Sequence, residues 1–371
     1  MGLSRECDRV NLSPKVLAIG GATLDTIIQY EEMETLIYQR RGNEQAYLLL
    51  EEGKKIEVTQ HQAFSGGGAT NAAVALKKLG LETRLFCKIG QDPAGEFILK
   101  ELKNYGLNLN DVKLTQEIGT ATSFVVPSLR GDRTLFAYRG ANAALLSEEL
   151  PEKTIAEVDF LYITSLSKNS AVHLPEIVKI ATEQGTRVAI NPGSSQLKRG
   201  AGFLKTALFG VELLILNDEE AQVLMSSLLV ESEEESHGHS GAHQAHAEIL
   251  TQKASLNFSL KDFFKKALAE GPKVVVVTYG SKGVYVCKES DIFFHPALKV
   301  EVVNTLGAGD AFGSSFAGAY FSGMPIEDAI RMGVINSASV VTHIDAKTGL
   351  LSKEQMAEQL KKLDPALLQK I

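Results

Sequence analysis

The second half of the chain alternates short runs of apolar, β-forming residues with helical segments of about 10 to 15 residues. The runs are FLYITSL (160–166), RVAINPG (187–193), VELLILN (211–217) and KVVVVTYG (273–280). They are apolar through most of their length rather than at alternate residues, which is typical of strands with both faces covered by helices. Strands and helices in this order form βαβ units, so the sequence predicts a parallel sheet in an α/β domain.

The first half adds one buried strand and a segment of different character. VLAI (16–19) is a short strand that runs into two glycines, Gly20 and Gly21. Residues 27–64 contain the turn EEGKK between two strand-like runs, and we assign them to a small β lid outside the main core. TSFVVPSL and RTLFAYR flank RGD and indicate a further hairpin. Residues 1–15 are interpreted as an N-terminal extension and 16–371 as one domain.

Composition and charge exclude several classes of protein. Hydrophobic residues make up 44% and charged residues 22% of the 371, close to the averages for soluble globular proteins. The 38 basic and 45 acidic residues give a net charge of −7, which argues against a nucleic-acid partner. No window approaches the roughly 20 apolar residues that span a bilayer, and no signal peptide is visible at the start. Three scattered cysteines complete the expectation of a cytoplasmic protein without a membrane partner.

Residues 231–248 (ESEEESHGHSGAHQAHAE) contain almost no large apolar side chain. Such a segment cannot bury enough surface to order itself, so it predicts an inserted flexible loop rich in His and Glu. Its histidines would share helical faces only if the segment were helical, and its glycines and acidic run favour a solvated loop over a metal site. These histidines are His237, His239, His243 and His246.

The most informative motif is VNTLGAGDAFGSSFAGAY (303–320). Gly307, Ala308 and Gly309, here called the GAG turn, precede a Gly/Ala-rich helix that Asp310 begins. Backbone N–H groups at a helix N-terminus bind anions, and a turn with small side chains lets a phosphate approach closely. An aspartate beside an anion is unfavourable unless its carboxylate has a function, such as accepting a proton from an attacking hydroxyl. The alternative interpretation is an N-cap aspartate after a glycine turn.

GAGDAF resembles the second signature of the ribokinase-like carbohydrate kinases of the phosphofructokinase-B type. SGGGATNAAVALKKLG (65–80) resembles the first signature, and IGQDPAGEFILKEL, YRGANAAL, NDEE and TYGSKG follow in the family's order. The resemblance covers residues 16–362. It implies a ribokinase-like three-layer α/β/α fold with a mostly parallel central sheet and a small β lid. It also implies ATP-dependent phosphorylation of a hydroxyl on a sugar or sugar-like molecule.

The resemblance further implies roles for residues around the acceptor. Asp310 would be the general base, and the amides of the GAG turn would form an anion hole for the transferring phosphoryl group. Asp25 would accept hydrogen bonds from two sugar hydroxyls. The alternative interpretation of Asp25 is a turn aspartate. The other acceptor-binding residues would be Asn71 and the three glycines of the GGG turn, Gly66, Gly67 and Gly68.

The nucleotide is assigned to the carboxyl ends of strands in the second half. Asn217 and Glu220 match the family's Asn-x-x-Glu, one helical turn apart where open α/β sheets place ligands. Glu220 would act through water on a Mg²⁺ ion that bridges the ATP phosphates. The alternative is an acidic first helical turn favoured by the helix dipole. The remaining implied nucleotide-binding residues are Thr278, Gly280, Gly283 and Asn336.

Two positions depart from the family pattern. Asn304 stands where the second signature usually has aspartate; it keeps the size and an acceptor oxygen but loses the charge. A role for this position in holding a monovalent cation or the acceptor is therefore weakened. FLYITSL ends in Thr164, Ser165 and Leu166, with no acidic residue where ribokinase itself tends to present one, which argues against ribose as the acceptor.

Three alternative functions remain. A nucleoside kinase of the same family would place an aromatic side chain in the acceptor cleft, for which Phe64, Phe124 and Phe136 are candidates. A catalytically silent sugar or nucleotide sensor would explain Asn304 but not an intact base. A dinucleotide-dependent oxidoreductase is disfavoured because no Gly-x-Gly-x-x-Gly follows the first strand. Lids in the family often pair, so the resemblance also implies a homodimer through the lid.

Overall fold

The computed structural model describes residues 13–29, 34–40, 43–127, 133–237 and 258–371. The strands are β1 (Lys15–Ile19), β2 (Thr23–Gln29), β3 (Glu34–Arg40), β4 (Asn43–Leu49), β5 (Gln60–Gly66), β6 (Glu82–Phe86), β7 (Lys88–Gly90), β8 (Lys113–Thr115), β9 (Thr122–Pro127), β10 (Arg133–Tyr138), β11 (Phe160–Ile163), β12 (Arg187–Ile190), β13 (Leu213–Asn217), β14 (Val274–Thr278), β15 (Val284–Lys288), β16 (Asp291–His295) and β17 (Gln369–Lys370). The α-helices are α1 (Gly68–Lys78), α2 (Pro93–Asn104), α3 (Glu152–Ala156), α4 (Leu174–Glu183), α5 (Ser194–Leu197), α6 (Ala201–Leu208), α7 (Asp218–His237), α8 (Leu260–Ala269), α9 (Ala308–Phe321), α10 (Ile326–Val340) and α11 (Lys353–Lys362).

A nine-stranded sheet forms the middle layer, in the order β17-β16-β15-β14-β13-β12-β11-β1-β6. The six strands from β14 to β6 are parallel, and β15, β16 and β17 add an antiparallel edge. Alternate residues of β14 face opposite layers: Val275 and Val277 pack with one buried cluster, Val274 and Val276 with another. The mostly parallel sheet covered on both faces confirms the predicted fold class.

The register of β1 sets the position of the loops that follow it. Ile19 pairs with Ile163 of β11 on one side and with Phe86 of β6 on the other. The Thr164 backbone N–H donates to Ile19 O at 2.8 Å. The turn beginning at Gly20 therefore emerges beside the end of β11, at the carboxyl edge where parallel sheets place their ligands.

The lid is larger than the predicted residues 27–64. Its four-stranded sheet has the order β10-β9-β2-β5, and β3 and β4 form a separate hairpin. The sheet begins at Thr23, and it includes the hairpin of β9 and β10 because β9 pairs in parallel with β2. A pairing between strands almost 100 residues apart has no local sequence signal, so the hairpin could be predicted but its place in the lid could not.

Helix α7 extends into the segment predicted to be a loop. It runs from Asp218 to His237, so the acidic run at 233–235 is helical and the predicted loop boundary at residue 231 is wrong. Glutamate is a good helix former, and extending an existing helix has no nucleation penalty, which explains the continuation. His239, His243 and His246 lie outside the described residues. Among the helices that the structure describes, none combines the length and apolar character needed to cross a membrane.

Candidate active site

The carboxylate of Asp310 lies in the first turn of α9 and faces α1. The Asn71 side-chain amide donates to Asp310 Oδ2 at 2.8 Å. A Cβ added to Gly68 would lie 3.3 Å from Asp310 Oδ1, so the GGG turn passes directly beside the carboxylate. Burial raises the pKa of Asp310, and the hydrogen bond from Asn71 and the charge of Lys347 oppose that rise. The structure thus places a basic carboxylate oxygen in a partly buried cleft.

Asp25 projects from β2 toward the same cleft and is only 7% exposed. The Ser123 hydroxyl of β9 donates to Asp25 Oδ1 at 2.6 Å. A Cβ added to Gly66 would lie 1.7 Å from Asp25 Oδ2, which leaves room for glycine alone. Burial raises the pKa of Asp25, Ser123 and Lys347 lower it, and the charge of Asp310 raises it further. Asp25 and Asp310, far apart in sequence, therefore lie within electrostatic range of each other.

Asn142 holds the backbone at Ala22, three residues before Asp25, in place. Its side-chain oxygen accepts from the Ala22 backbone N–H at 3.0 Å, and its side-chain nitrogen donates to Ala22 O at 2.9 Å. The GGG turn packs on the same segment, since Gly67 has a φ of +93° and a Cβ there would lie 2.5 Å from Gly21 O. Asn142 lies in the motif YRGANAAL, but its role could not be predicted from the sequence because its partner is 120 residues away.

The GAG turn, predicted to form an anion hole, has one of its amides already engaged by a backbone carbonyl. Gly307 is left-handed, with a φ of +77°, and its carbonyl accepts from the Ala311 N–H at 2.8 Å. The Ala308 N–H points back to Thr305 O at 3.3 Å, so its predicted share in the hole is reduced. No atom lies within 4 Å of a Cβ built on Gly309, so the turn is open on that side. The first-turn N–H groups of a helix lack intrahelical acceptors, which leaves donors near this opening.

Asn304 holds the segment that precedes the GAG turn. Its side-chain oxygen accepts from the Leu306 N–H at 3.0 Å, and its side-chain nitrogen donates to Ile344 O at 2.8 Å. A carboxylate at this position could accept the first hydrogen bond but could not donate the second. The departure from the family's aspartate is therefore matched by a contact that needs an amide.

Asn217 and Glu220 form a reciprocal cap at the start of α7. The Asn217 N–H donates to Glu220 Oε2 at 2.9 Å, and the Glu220 N–H donates to Asn217 Oδ1 at 2.8 Å. Burial raises the pKa of Glu220, and the charges of Glu219, Asp310 and Asp218 raise it further. The pair therefore caps α7, a role that was not predicted, and Glu220 also lies within electrostatic range of Asp310.

The oxygen donors near Glu220 suit a hard divalent cation but do not surround one. Negative charge from several carboxylates accumulates there, which a Mg²⁺ ion would offset. Within the described ranges, no group of three or more His, Cys, Asp or Glu side chains is arranged to hold a metal ion. Most ligands of such an ion would therefore have to be phosphate oxygens and water.

The turn after β14 lies beside this cap. Thr278 pairs with Asn217 in the sheet, so the two predicted nucleotide residues are neighbours. Gly280 has a φ of +53° and open space where a Cβ would be, so a ligand can approach its backbone. Gly283, with a φ of +117°, packs against the His295 carbonyl, which a Cβ would approach to 2.2 Å. Gly280 therefore suits phosphate contact, whereas Gly283 shapes the turn.

Asn336 does not present its amide to the cleft. It is fully buried in α10; its side-chain nitrogen donates to the Ser315 hydroxyl at 2.7 Å, and its oxygen accepts from the Leu351 N–H at 2.9 Å. Adenine could not reach either group without breaking these bonds. We therefore leave Asn336 out of the nucleotide site and assign it to the packing of α9 against α10.

Lys347 is a site residue that sequence analysis missed. Its side chain is fully buried, and its ammonium donates to Asn71 Oδ1 at 2.7 Å and to the Ser65 carbonyl. Burial lowers its pKa to about 8, against the opposing effect of nearby carboxylates. It lies in the loop THIDAKTGL, which carries no motif, and only the tertiary structure brings it to Asn71.

The comparison with known families agrees with this geometry. The model of the pfkB family carbohydrate kinases matches residues 34–353, so the chain belongs to that family. Its members are phosphotransferases that act on an alcohol group, with ATP as the phosphate donor in the ribokinase branch. The protein is a carbohydrate kinase of the ribokinase-like type, as its sequence motifs predicted.

Individual relatives are distant but extensive. The chain is 26% identical to ribokinase of Staphylococcus aureus over 337 residues, 89% of this chain and 94% of the relative. It is 26% identical to the ATP-dependent ribose-1-phosphate kinase of Halopiger xanaduensis over 274 residues, 74% of this chain and 79% of the relative. The structure of Arabidopsis thaliana ribokinase complexed with ribose and ATP superposes with a TM-score of 0.70 at 19% identity, covering 94% of this chain and 99% of that one. The last similarity shows the shared fold.

Proposed function

We propose that the protein transfers the terminal phosphoryl group of ATP to a hydroxyl of a sugar or sugar-like molecule, with Asp310 as general base. The observation that carries this proposal is the position of the Asp310 carboxylate, held by Asn71 between the GGG turn and the start of α9. An acceptor oriented by Asp25 and Asn71 would direct one hydroxyl at this carboxylate.

The reaction follows from the residues around Asp310. The carboxylate takes the proton of the acceptor hydroxyl as its oxygen attacks the terminal phosphorus of ATP. Amides of the GAG turn stabilise the charge on the transferring phosphoryl oxygens, and ADP leaves. Closure of the lid over the acceptor would exclude water, the competing acceptor. Because ATP is a cytoplasmic metabolite, we also propose a cytoplasmic location.

Glu220 fits the family's use of Mg²⁺ with ATP. Its carboxylate would hold the ion through water, next to the phosphates that Gly280 and Thr278 face. When bound, the ion neutralises charge on the nucleotide phosphates. Asn217 keeps Glu220 in place through the reciprocal cap.

The residues around Asn304 do not fit a monovalent cation. The Asn304 side-chain N–H points at the Ile344 carbonyl, which reduces the negative potential that a cation would need. Replacing K⁺ by tetramethylammonium in the assay is therefore expected to leave kcat and KM unchanged at constant ionic strength. A strong activation by K⁺ would contradict this expectation; Na⁺ serves as the control for general salt effects.

A nucleoside acceptor is favoured by one specific observation. Phe64 of β5 pairs directly with Asp25 of β2, so the two side chains share a face of the lid sheet. Phe124 follows Ser123, the residue of β9 that pairs with Asp25, so its side chain lies on the opposite face of the lid sheet. Phe136 pairs with Phe124 on that opposite face, and the two residues are 51% and 52% exposed. Of the three aromatic candidates, Phe64 is therefore the one placed to stack on a base. Thr164, packed against the GGG turn, is buried and its hydroxyl donates to the Ile19 carbonyl at 3.2 Å, so it presents neither a carboxylate nor a free hydroxyl to the acceptor.

The first experiment measures ADP release from Mg-ATP with a panel of sugars, sugar phosphates and nucleosides. We expect turnover with one chemical class of acceptor and none without acceptor. Parallel reactions with Asp310→Asn show whether the turnover comes from this site. Binding of ATP or of an acceptor without turnover across the panel would support the silent sensor instead, and Asn304→Asp would then be the first variant to assay.

We further propose that two chains associate through the lid. Phe124, Phe136 and Tyr138 expose about half of their side-chain surface on β9 and β10, and exposed apolar sheet faces mark interaction sites. Light scattering at micromolar concentration is expected to give a dimer, and Phe136→Asp a monomer. Phe209→Asp is the matched control, because Phe209 is 83% exposed outside the lid. A monomeric wild-type protein would exclude the proposal.

A further inference from the structure

The loop that carries Lys347 contacts each part of the proposed site. Ala346 packs on the GAG turn, since a Cβ on Gly307 would lie 2.4 Å from the Ala346 Cβ. Ile344 accepts the hydrogen bond of Asn304. Lys347 itself reaches across to Asn71 and to the Ser65 carbonyl at the end of β5. One loop therefore joins the anion hole, the base and the acceptor side.

The ammonium of Lys347 lies within electrostatic range of several carboxylates. Asp25 faces it from β2 and Asp310 from α9, and both carboxylates experience its charge. Glu101 of α2 accepts from the Ser65 N–H at 2.8 Å, next to the carbonyl that Lys347 binds. The titratable groups within electrostatic range of the Lys347 ammonium are Asp25, Glu101, Asp310 and Asp345. The Lys78 ammonium donates to the Lys347 carbonyl at 3.4 Å and lies 5.8 Å from the centre of the Tyr105 ring.

Asn71 transmits the effect of Lys347 to the base by direct contact. Its side-chain oxygen accepts from the ammonium, so its nitrogen must point the other way, toward Asp310. Without Lys347, the amide could turn over and present its oxygen to the carboxylate. The hydrogen bonds from Lys347 to Asn71 and from Asn71 to Asp310 thus fix the orientation of the Asn71 amide and favour the ionised form of Asp310.

We propose that Lys347 is a positioning residue of the kinase, which keeps Asp310 and Asp25 ionised and holds Asn71 in the orientation that donates to the base. This inference rests on the proposed role of Asp310. Burial alone would favour the protonated form of both aspartates, and a protonated Asp310 could not accept the hydroxyl proton. An ammonium that itself loses its proton near pH 8 limits this assistance at alkaline pH.

The test compares pH profiles of kcat for the wild-type protein and Lys347→Met, with the acceptor found in the panel. Loss of the positive charge raises the pKa of Asp310, so the acid limb is expected to move to higher pH. The wild-type decline above about pH 8 is expected to disappear in the variant. Lower activity with an unchanged profile would show that Lys347 only supports the fold and would overturn the proposal.

Glu101→Gln is the second variant, because it keeps an acceptor for the Ser65 N–H while removing one carboxylate near Lys347. The ammonium then loses its proton at lower pH, so the alkaline limb is expected to move down and the acid limb to stay. An alkaline limb that does not move would contradict the assignment of this limb to Lys347. This variant keeps the proposal testable if Lys347→Met does not fold.

A melting experiment tests the buried ammonium without any substrate. The folded pKa of Lys347, about 8, lies below the ordinary 10.5, so the unfolded chain binds more protons between these values. The Tm of the wild-type protein relative to Lys347→Met is therefore expected to rise as the pH increases from 8 to 10.5. A flat difference would overturn the buried-ammonium assignment. If the Tm difference rises with pH but the protein has no kinase activity, the buried ammonium is supported and the proposed function is wrong.

Discussion

Replacing Asp310 by asparagine is expected to lower kcat by about 10²- to 10⁴-fold, the usual contribution of a general base. The amide has the same shape, so Asn71 and the first turn of α9 keep their packing, and the fold and ATP binding are expected to be retained. Initial rates of ADP formation at saturating acceptor, together with calorimetric titration of ATP, measure the two effects separately.

The pH profile gives an independent check on the same base. Burial raises the pKa of Asp310 above the ordinary aspartate value of 3.8. The base works only when ionised, so activity is expected to fall as the pH decreases through this raised value, at a higher pH than for an exposed aspartate. Asp310→Asn should lose this limb. Retention of kcat in the variant would exclude Asp310 as the base.

The control is Asp111→Asn, which removes a partly buried carboxylate far from the cleft. Asp111 accepts from Arg84 Nε at 2.8 Å and from the Thr154 hydroxyl at 2.5 Å, so its loss should lower the Tm. Its kcat is expected to stay at the wild-type value. The two variants together distinguish a chemical effect from a general loss of stability.

Gly307→Ala is expected to damage both the fold and the activity. At a φ of +77°, an alanine is strained, and its Cβ would lie 2.4 Å from the Ala346 Cβ. Backbone strain and overpacking together destabilise by about 2 to 5 kcal/mol. Displacement of the loop at 346 would also disturb Lys347, so kcat of the remaining folded protein should fall. Thermal unfolding and kinase assays below the Tm measure the two consequences.

Gly309→Ala is the matched variant two residues away. A Cβ at Gly309 meets no atom within 4 Å, and its φ is not left-handed, so the Tm is expected to stay the same or rise slightly. If the open space beside Gly309 receives the phosphoryl group, the added methyl will still lower kcat. An equal loss of Tm in both variants would contradict the steric account of Gly307.

Much of the cleft was predictable because its residues lie in short, contiguous motifs. The GAG turn, the GGG turn and the Asn217–Glu220 pair each sit at a strand or helix terminus that periodicity identifies. The structure brings Asp25, Asn71 and Asp310 together as the family resemblance implied. The contacts in the structure change two assignments. The Ala308 amide is less available to a phosphoryl group because it donates to the Thr305 carbonyl, and Asn336 is removed from the nucleotide site because it is buried in the core.

The residues that could not be predicted act through partners distant in sequence. Lys347 bonds Asn71 across 276 positions, and Asn142 bonds Ala22 across 120. Neither lies in a pattern whose spacing indicates a function. For the same reason, the hairpin of β9 and β10 could be predicted but its pairing with β2 could not. The continuation of α7 past residue 231 has a different cause, the helix propensity of its local sequence.

The amino-acid sequence by itself determined the class of fold, because apolar strands alternating with helices can bury their surfaces only as a parallel sheet between helical layers. It also determined the GAG turn, proposed to bind the phosphoryl group, and the carboxylate beside it, since these depend on neighbouring residues at one helix terminus. Only the tertiary structure decided the charge and orientation of that carboxylate. Those depend on desolvation and on a buried ammonium delivered by a distant loop, and both arise only when the chain has packed.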